Sequence, residues 1–64
     1  MNIKELKNTV KELNYGAKYF KLDFIHGSIY KLVQEGFITE SEGSDMLDNI
    51  IKYGTTYSYK TFLK

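Results

Sequence analysis

IHGSIYKLVQEGFITESEGSDMLDNIIKYG, residues 25–54, is the stretch whose reading decides the fold. Ile25, Ile29, Leu32 and Val33, with Leu22 just before them, recur at steps of three and four, which return a side chain to the same side of a helix. Gly36 then interrupts the stripe; a residue without a β-carbon takes up, free of steric cost, the left-handed backbone geometry that commonly ends a helix. Thr39 and Glu42 stand at capping-box spacing, where hydroxyl and carboxylate each satisfy one orphan backbone N–H of a new helix. Met46, Leu47, Ile50 and Ile51 form the apolar stripe of that helix. Glu40, Glu42, Asp45 and Asp48 load its first half with negative charge, Lys52 closes it and Gly54 lies just past its end, in agreement with the helix dipole. The stretch from Ile25 to Gly54 therefore predicts a helical hairpin, with Phe37 and Ile38 packed beneath its turn.

Working outward toward the N-terminus, Asn2 and Glu5 have the spacing of a helix cap, and Ile3, Leu6, Val10 and Leu13 repeat at helical steps. This helix has two natural stopping places. Asn14-Tyr15-Gly16 offers residues that tolerate a left-handed cap; yet Ala17, Phe20 and Phe24 continue the spacing, so one bent helix to about Asp23 fits as well. Within residues 18–24, from Lys18 to Phe24, Phe20, Leu22 and Phe24 alternate with Lys21 and Asp23, which is the period of a strand. Read helically, Ala17, Phe20 and Phe24 point away from Leu22, Ile25 and Ile29. A break is therefore expected near Asp23, which becomes available to cap the next helix. Gly27 inside that helix costs about 1 kcal/mol relative to alanine, and the compensation expected for it is close approach of the first helix.

Beyond Gly54, the tail from Thr55 to Phe62 and on to Lys64 is dense in β-branched and aromatic residues, free of acids, and alternates like a strand. The fold class that follows is mainly α, a small three-helix domain with the hairpin 25–54. The alternative is α+β, with residues 18–24 and 55–62 paired as a short two-stranded ribbon against the helices. The run LVQEGFITESE, residues 32–42, resembles the short helical hairpins of SHOCT type found at the ends of bacterial proteins. The resemblance covers a small part of the chain and implies a helical corner, with no function carried over.

A chain of 64 residues makes one domain. At this length only about 60% of the unfolded surface is buried, so the core is small and self-association or a partner could supply missing burial. With no cysteine there is no disulfide framework, no thiolate nucleophile and no zinc-knuckle spacing. Net charge is +1, and all nine basic residues are lysines. Such a balance creates no field that selects nucleic acid, and the lack of arginine removes the best bidentate reader of guanine or phosphate. The richness in Lys, Asn, Ile, Tyr and Phe, without Pro, Arg or Trp, is what an A/T-rich coding sequence gives and hints at a low-GC bacterium or its phages. The opening residues mix charges without an apolar run, and no stretch is long enough to span a bilayer. A soluble, cytoplasmic protein with no membrane attachment is the expectation.

Chemistry-bearing residues are few. His26 has Asp23 three residues before it and Ser28 nearby, but a serine nucleophile also needs a facing base and an oxyanion site, which one helical turn does not supply. No metal or cofactor motif is present, and the acids Glu40, Glu42, Asp45 and Asp48 serve the helix start rather than an EF-hand. The hairpin also has the outline of a helix-turn-helix; four carboxylates at the start of its second helix would oppose phosphates. Six tyrosines exceed what so small a core can hold. Tyrosine is enriched at interfaces, and a contact surface made by Tyr53, Tyr57, Tyr59 and Phe62, together with Tyr30, is the candidate site. The expected function is non-enzymatic: a small protein that binds and modulates, most simply by inhibition, another protein of a bacterial host, as accessory products of phages and mobile elements do, with homodimerisation compatible. The alternative is a nucleic-acid-binding regulator using Tyr57, Tyr59, Lys60 and Lys64 to stack and neutralise.

Overall fold

Asn2 opens the first helix as its spacing predicts, its side chain accepting a hydrogen bond from the Glu5 amide at 2.9 Å. The computed structural model describes residues 1–63; Lys64, grouped above with the tyrosines of the tail, lies outside them. Helix α1 runs Ile3–Tyr19, α2 Leu22–Gln34 and α3 Glu40–Tyr53, followed by one 3-10 turn at Tyr59–Phe62. The described residues are 76% helical, and no strand occurs among them.

The ribbon alternative is thus overturned, and the reason is local at both of its halves. Residues 18–24 are the end of α1, a two-residue corner and the start of α2, so the alternation of Phe20, Leu22 and Phe24 marks a change of direction. The tail does leave α3 extended, but its backbone pairs with a side chain. The Tyr57 N–H donates to Asn14 Oδ1 at 2.9 Å, and Asn14 Nδ2 donates to the Tyr57 carbonyl at 2.6 Å. An amide side chain here replaces a neighbouring strand. Asn14→Ala leaves both Tyr57 groups unpaired in a half-buried place and is expected to lower stability by about 1–2 kcal/mol, measured by urea denaturation.

Both sides of the predicted turn between α2 and α3 are built as read. Thr39 and Glu42 close a full capping box, at 3.1 and 2.9 Å. At the end of α2, Gly36 sits at φ +78°, its amide bonded to the Val33 carbonyl and that of Phe37 to Leu32 at 2.9 Å, a Schellman pair that satisfies the last carbonyls. Ile38 is buried beneath this turn and Phe37 packs against the core. The core joins Leu6, Val10, Leu13 and Ala17 of α1 to Ile25 and Leu32 of α2, Met46 and Ile50 of α3, Ile38 and Phe62. Ile3, Leu22 and Ile51, which share the predicted stripes, lie in terminal turns and stay exposed.

The tighter packing joins α1 to α2, and glycine explains it, though not the glycine expected. A β-carbon on Gly27 would meet nothing within 4 Å; one on Gly16 would lie 2.8 Å from Ile25 Cγ1 and 3.0 Å from both the Ile25 nitrogen and the Lys21 carbonyl oxygen. Gly16 is therefore the point of close approach, inside α1 rather than at its end. Asp23 also differs from expectation. Lys21 occupies the N-cap of α2 without a side-chain cap, and Asp23 stands in the first turn, where it contributes charge alone. At the far end of the pair, the amino group of Met1 lies 2.6 Å from Glu35 Oε1, and that hydrogen bond holds its pKa above the ordinary value.

Candidate functional site

The residues expected to form a contact surface at the tail differ in exposure. Phe62, expected at an interface, is 4% exposed and belongs to the core, because the 3-10 turn swings its ring inward beside Ile38 and Met46. Tyr57 and Tyr59 are half-buried and pack against that core, Tyr57 with its ring centroid 6.3 Å from that of Phe62. Lys7 Nζ lies 4.8 Å from the centroid of Tyr59, over a face a nucleobase would need. Tyr53 and Tyr30 are exposed, yet no ring contact joins either to another aromatic residue among the described residues. Of the five, one is thus buried, two are half-buried and two are exposed.

The exposed aromatic surface lies instead where α1 turns into α2. Tyr15 and Tyr19 sit one turn apart on α1, their ring centroids separated by 4.8 Å, and Phe24 of α2 meets Tyr15 edge-on at 5.2 Å. Phe20 and Leu22 continue the patch around the corner. All five are more than two-fifths exposed, Phe20 most of all at 60%. If each side chain is taken at about 200 Å², half exposed, the patch amounts to roughly 500 Å², near the top of the ~300–600 Å² that the largest apolar patch on a monomer commonly reaches. Lys18 and Lys21 flank it with Asp23, and none of the three enters a salt bridge among the described residues.

Phe20 carries a second anomaly. It is the non-glycine residue with positive φ among the described residues, at φ 54° and ψ 50°, filling the left-handed C-cap of α1 as Gly54 fills that of α3, while at α2 the left-handed residue is Gly36, one past the Glu35 cap. The amides of Phe20 and Lys21 both reach the Gly16 carbonyl, so the motif is intact. The left-handed conformation costs an L-residue about 1–2 kcal/mol, and a ring exposed to this extent recovers little of that by burial. A strained residue displaying an apolar side chain to solvent is the kind of departure that marks functional positions. The sequence carried a partial signal: a single helix continued through Leu32 would be apolar on two sides, with Ala17, Phe20 and Phe24 opposite Leu22, Ile25 and Ile29. Its resolution required the corner geometry, since the expected left-handed caps were Asn14 and Gly16.

No catalytic set assembles around His26. It is exposed, as is Asp23, while Ser28 is 1% exposed, with its hydroxyl unpaired and out of reach of a substrate. No group of three or more His, Cys, Asp or Glu side chains among the described residues is placed to hold a metal ion, and none of their helices is long and apolar enough to cross a membrane. No family model, curated protein or solved structure matches this chain.

Proposed function

We propose that this protein acts without catalysis, by binding another protein through the aromatic corner formed by Tyr15, Tyr19, Phe20, Leu22 and Phe24, and that binding modulates, most simply inhibits, that partner. The observation that carries this reading is the strained and exposed Phe20 at the corner beside the exposed ring cluster of Tyr15, Tyr19 and Phe24. Aromatic side chains give large contact area with few rotatable bonds and dominate interface hot spots. A protein partner suits the corner better than an anionic bilayer, on which Lys18 and Lys21 would add only about 1 kcal/mol each and Asp23 would oppose them. The lysine-only charge and the coding bias support a partner in the cytoplasm of a bacterial host. The role in nucleic-acid binding loses support from the tail, whose tyrosines pack inward.

Phe20→Gly separates binding from folding. Glycine fits the left-handed cap, so the variant is expected to be more stable than the parent by up to about 1 kcal/mol, seen as a higher urea midpoint, while losing the partner. A tagged pull-down from bacterial lysate, with and without nuclease, reads the second half. One stoichiometric protein retained by the parent after nuclease and lost with Phe20→Gly supports the proposal. Retention by Phe20→Gly, or loss of the protein on nuclease treatment, would sink it.

A further inference from the structure

Between α2 and α3 runs a shallow groove with an apolar floor of Ile29, Val33 and Leu47, all only partly buried, walled on the α2 side by His26 and Tyr30. Gly43 brings the helices together beneath it, since a β-carbon there would lie 2.9 Å from Ile29 Cγ2. Glu40 supplies the charge along the groove.

We propose that this groove receives the aromatic corner of a second copy of the chain, so that copies associate head to tail and conceal the surface the partner needs. The inference rests on the corner being a docking surface, as argued above. Charge complementarity selects the pairing. Lys18 and Lys21 beside the corner are without salt bridges among the described residues and outnumber Asp23, so the corner is net positive and opposite in sign to Glu40 in the groove, whereas corner against corner would set two net positive patches together. Area sets the strength. The corner offers at most about 500 Å², below the ~800 Å² per partner of a standard interface, so the contact is weak and yields on dilution to a better partner. Two different patches make a heterologous contact, which leaves a free corner at one end and a free groove at the other and does not close at two copies.

Sedimentation equilibrium on the full chain tests this directly. The parent's average mass is expected to rise with concentration from 7.5 kDa past the dimer without a plateau. Phe20→Gly, which removes the ring, and Ser44→Arg, which fills the groove from an exposed position with a cation, should each remain monomeric. Mixed one to one, they should form a dimer and stop there, because together they supply one intact corner and one intact groove. A parent monomeric at millimolar concentration, a mixture that stays monomeric, or association that survives Ser44→Arg would overturn the pairing. Should circular dichroism show Ser44→Arg unfolded, Glu40→Lys takes its place with the same expectations. Partner capture that depends on Phe20 without self-association defeats this inference and leaves the proposed function standing; self-association with capture indifferent to Phe20 does the reverse.

Discussion

Phe62→Ala is expected to cost about 3–5 kcal/mol, the usual range for removing a buried aromatic ring, against a total stability of roughly 3–10 kcal/mol for a chain this long. Phe62 is the one buried residue among the described residues of the tail, and it carries the tail into the core beside Ile38 and Met46. Its loss leaves a cavity that the small remaining core cannot refill, and Tyr57 loses its ring neighbour. The variant should retain the far-UV circular dichroism of its helices in water while its urea midpoint falls by about a third or more. A change confined to partner binding, with the midpoint intact, would return Phe62 to the surface role its alternating pattern suggested. Tyr53→Ala, at an exposed position, is the matched control and should leave the midpoint in place.

Gly16→Ala is expected to destabilise by about 2 kcal/mol, the middle of the range for overpacking, even though alanine is worth up to ~1 kcal/mol more than glycine within a helix. The sign is decided by what the new methyl meets. Two of its three close neighbours are backbone atoms, the Ile25 nitrogen and the Lys21 oxygen, and backbone cannot rotate aside as the Ile25 side chain can. Either α1 and α2 separate or the corner distorts. Gly27→Ala, with open space at the same substitution, is expected to raise stability by about 0.5–1 kcal/mol. Equal effects of the two substitutions in urea titrations would mean that the α1–α2 contact is not as close as described.

How much of this was legible in the sequence depends on the range of the physics involved. The capping box at Thr39 and Glu42, the Gly36 turn and the stripes of α2 and α3 are local, settled within a few residues, and each stands where the spacing put it. The end of α1 was displaced because two local signals, Asn14 and Gly16, serve distant partners. Asn14 binds a tail residue 43 positions away, and Gly16 makes room for α2. Nothing in either neighbourhood announces such a role. Likewise the alternation of the tail was real, but whether Phe62 faces solvent or core depends on the slot left beside α1 and α3, a property of the assembled helices. The candidate surface followed the same logic. Tyrosine abundance pointed correctly to exposed aromatic residues, while their gathering at the α1–α2 corner arose from a phenylalanine occupying a glycine's conformation.

The Asn14–Tyr57 pairing has a kinetic consequence. The three helices are joined by short connections, so their mutual contacts close early and at small entropic cost. The tail must search across most of the chain's length before Asn14 can hold it, and only then does Phe62 reach its place. Its docking is therefore expected to come last in folding and to be lost first in unfolding, which makes the Tyr57 amide, held by a side chain alone, a sensor of the latch. In native-state hydrogen exchange that amide should open at a lower free energy than those of Leu13 or Ile25, reporting a helical body that persists while its closing segment comes and goes.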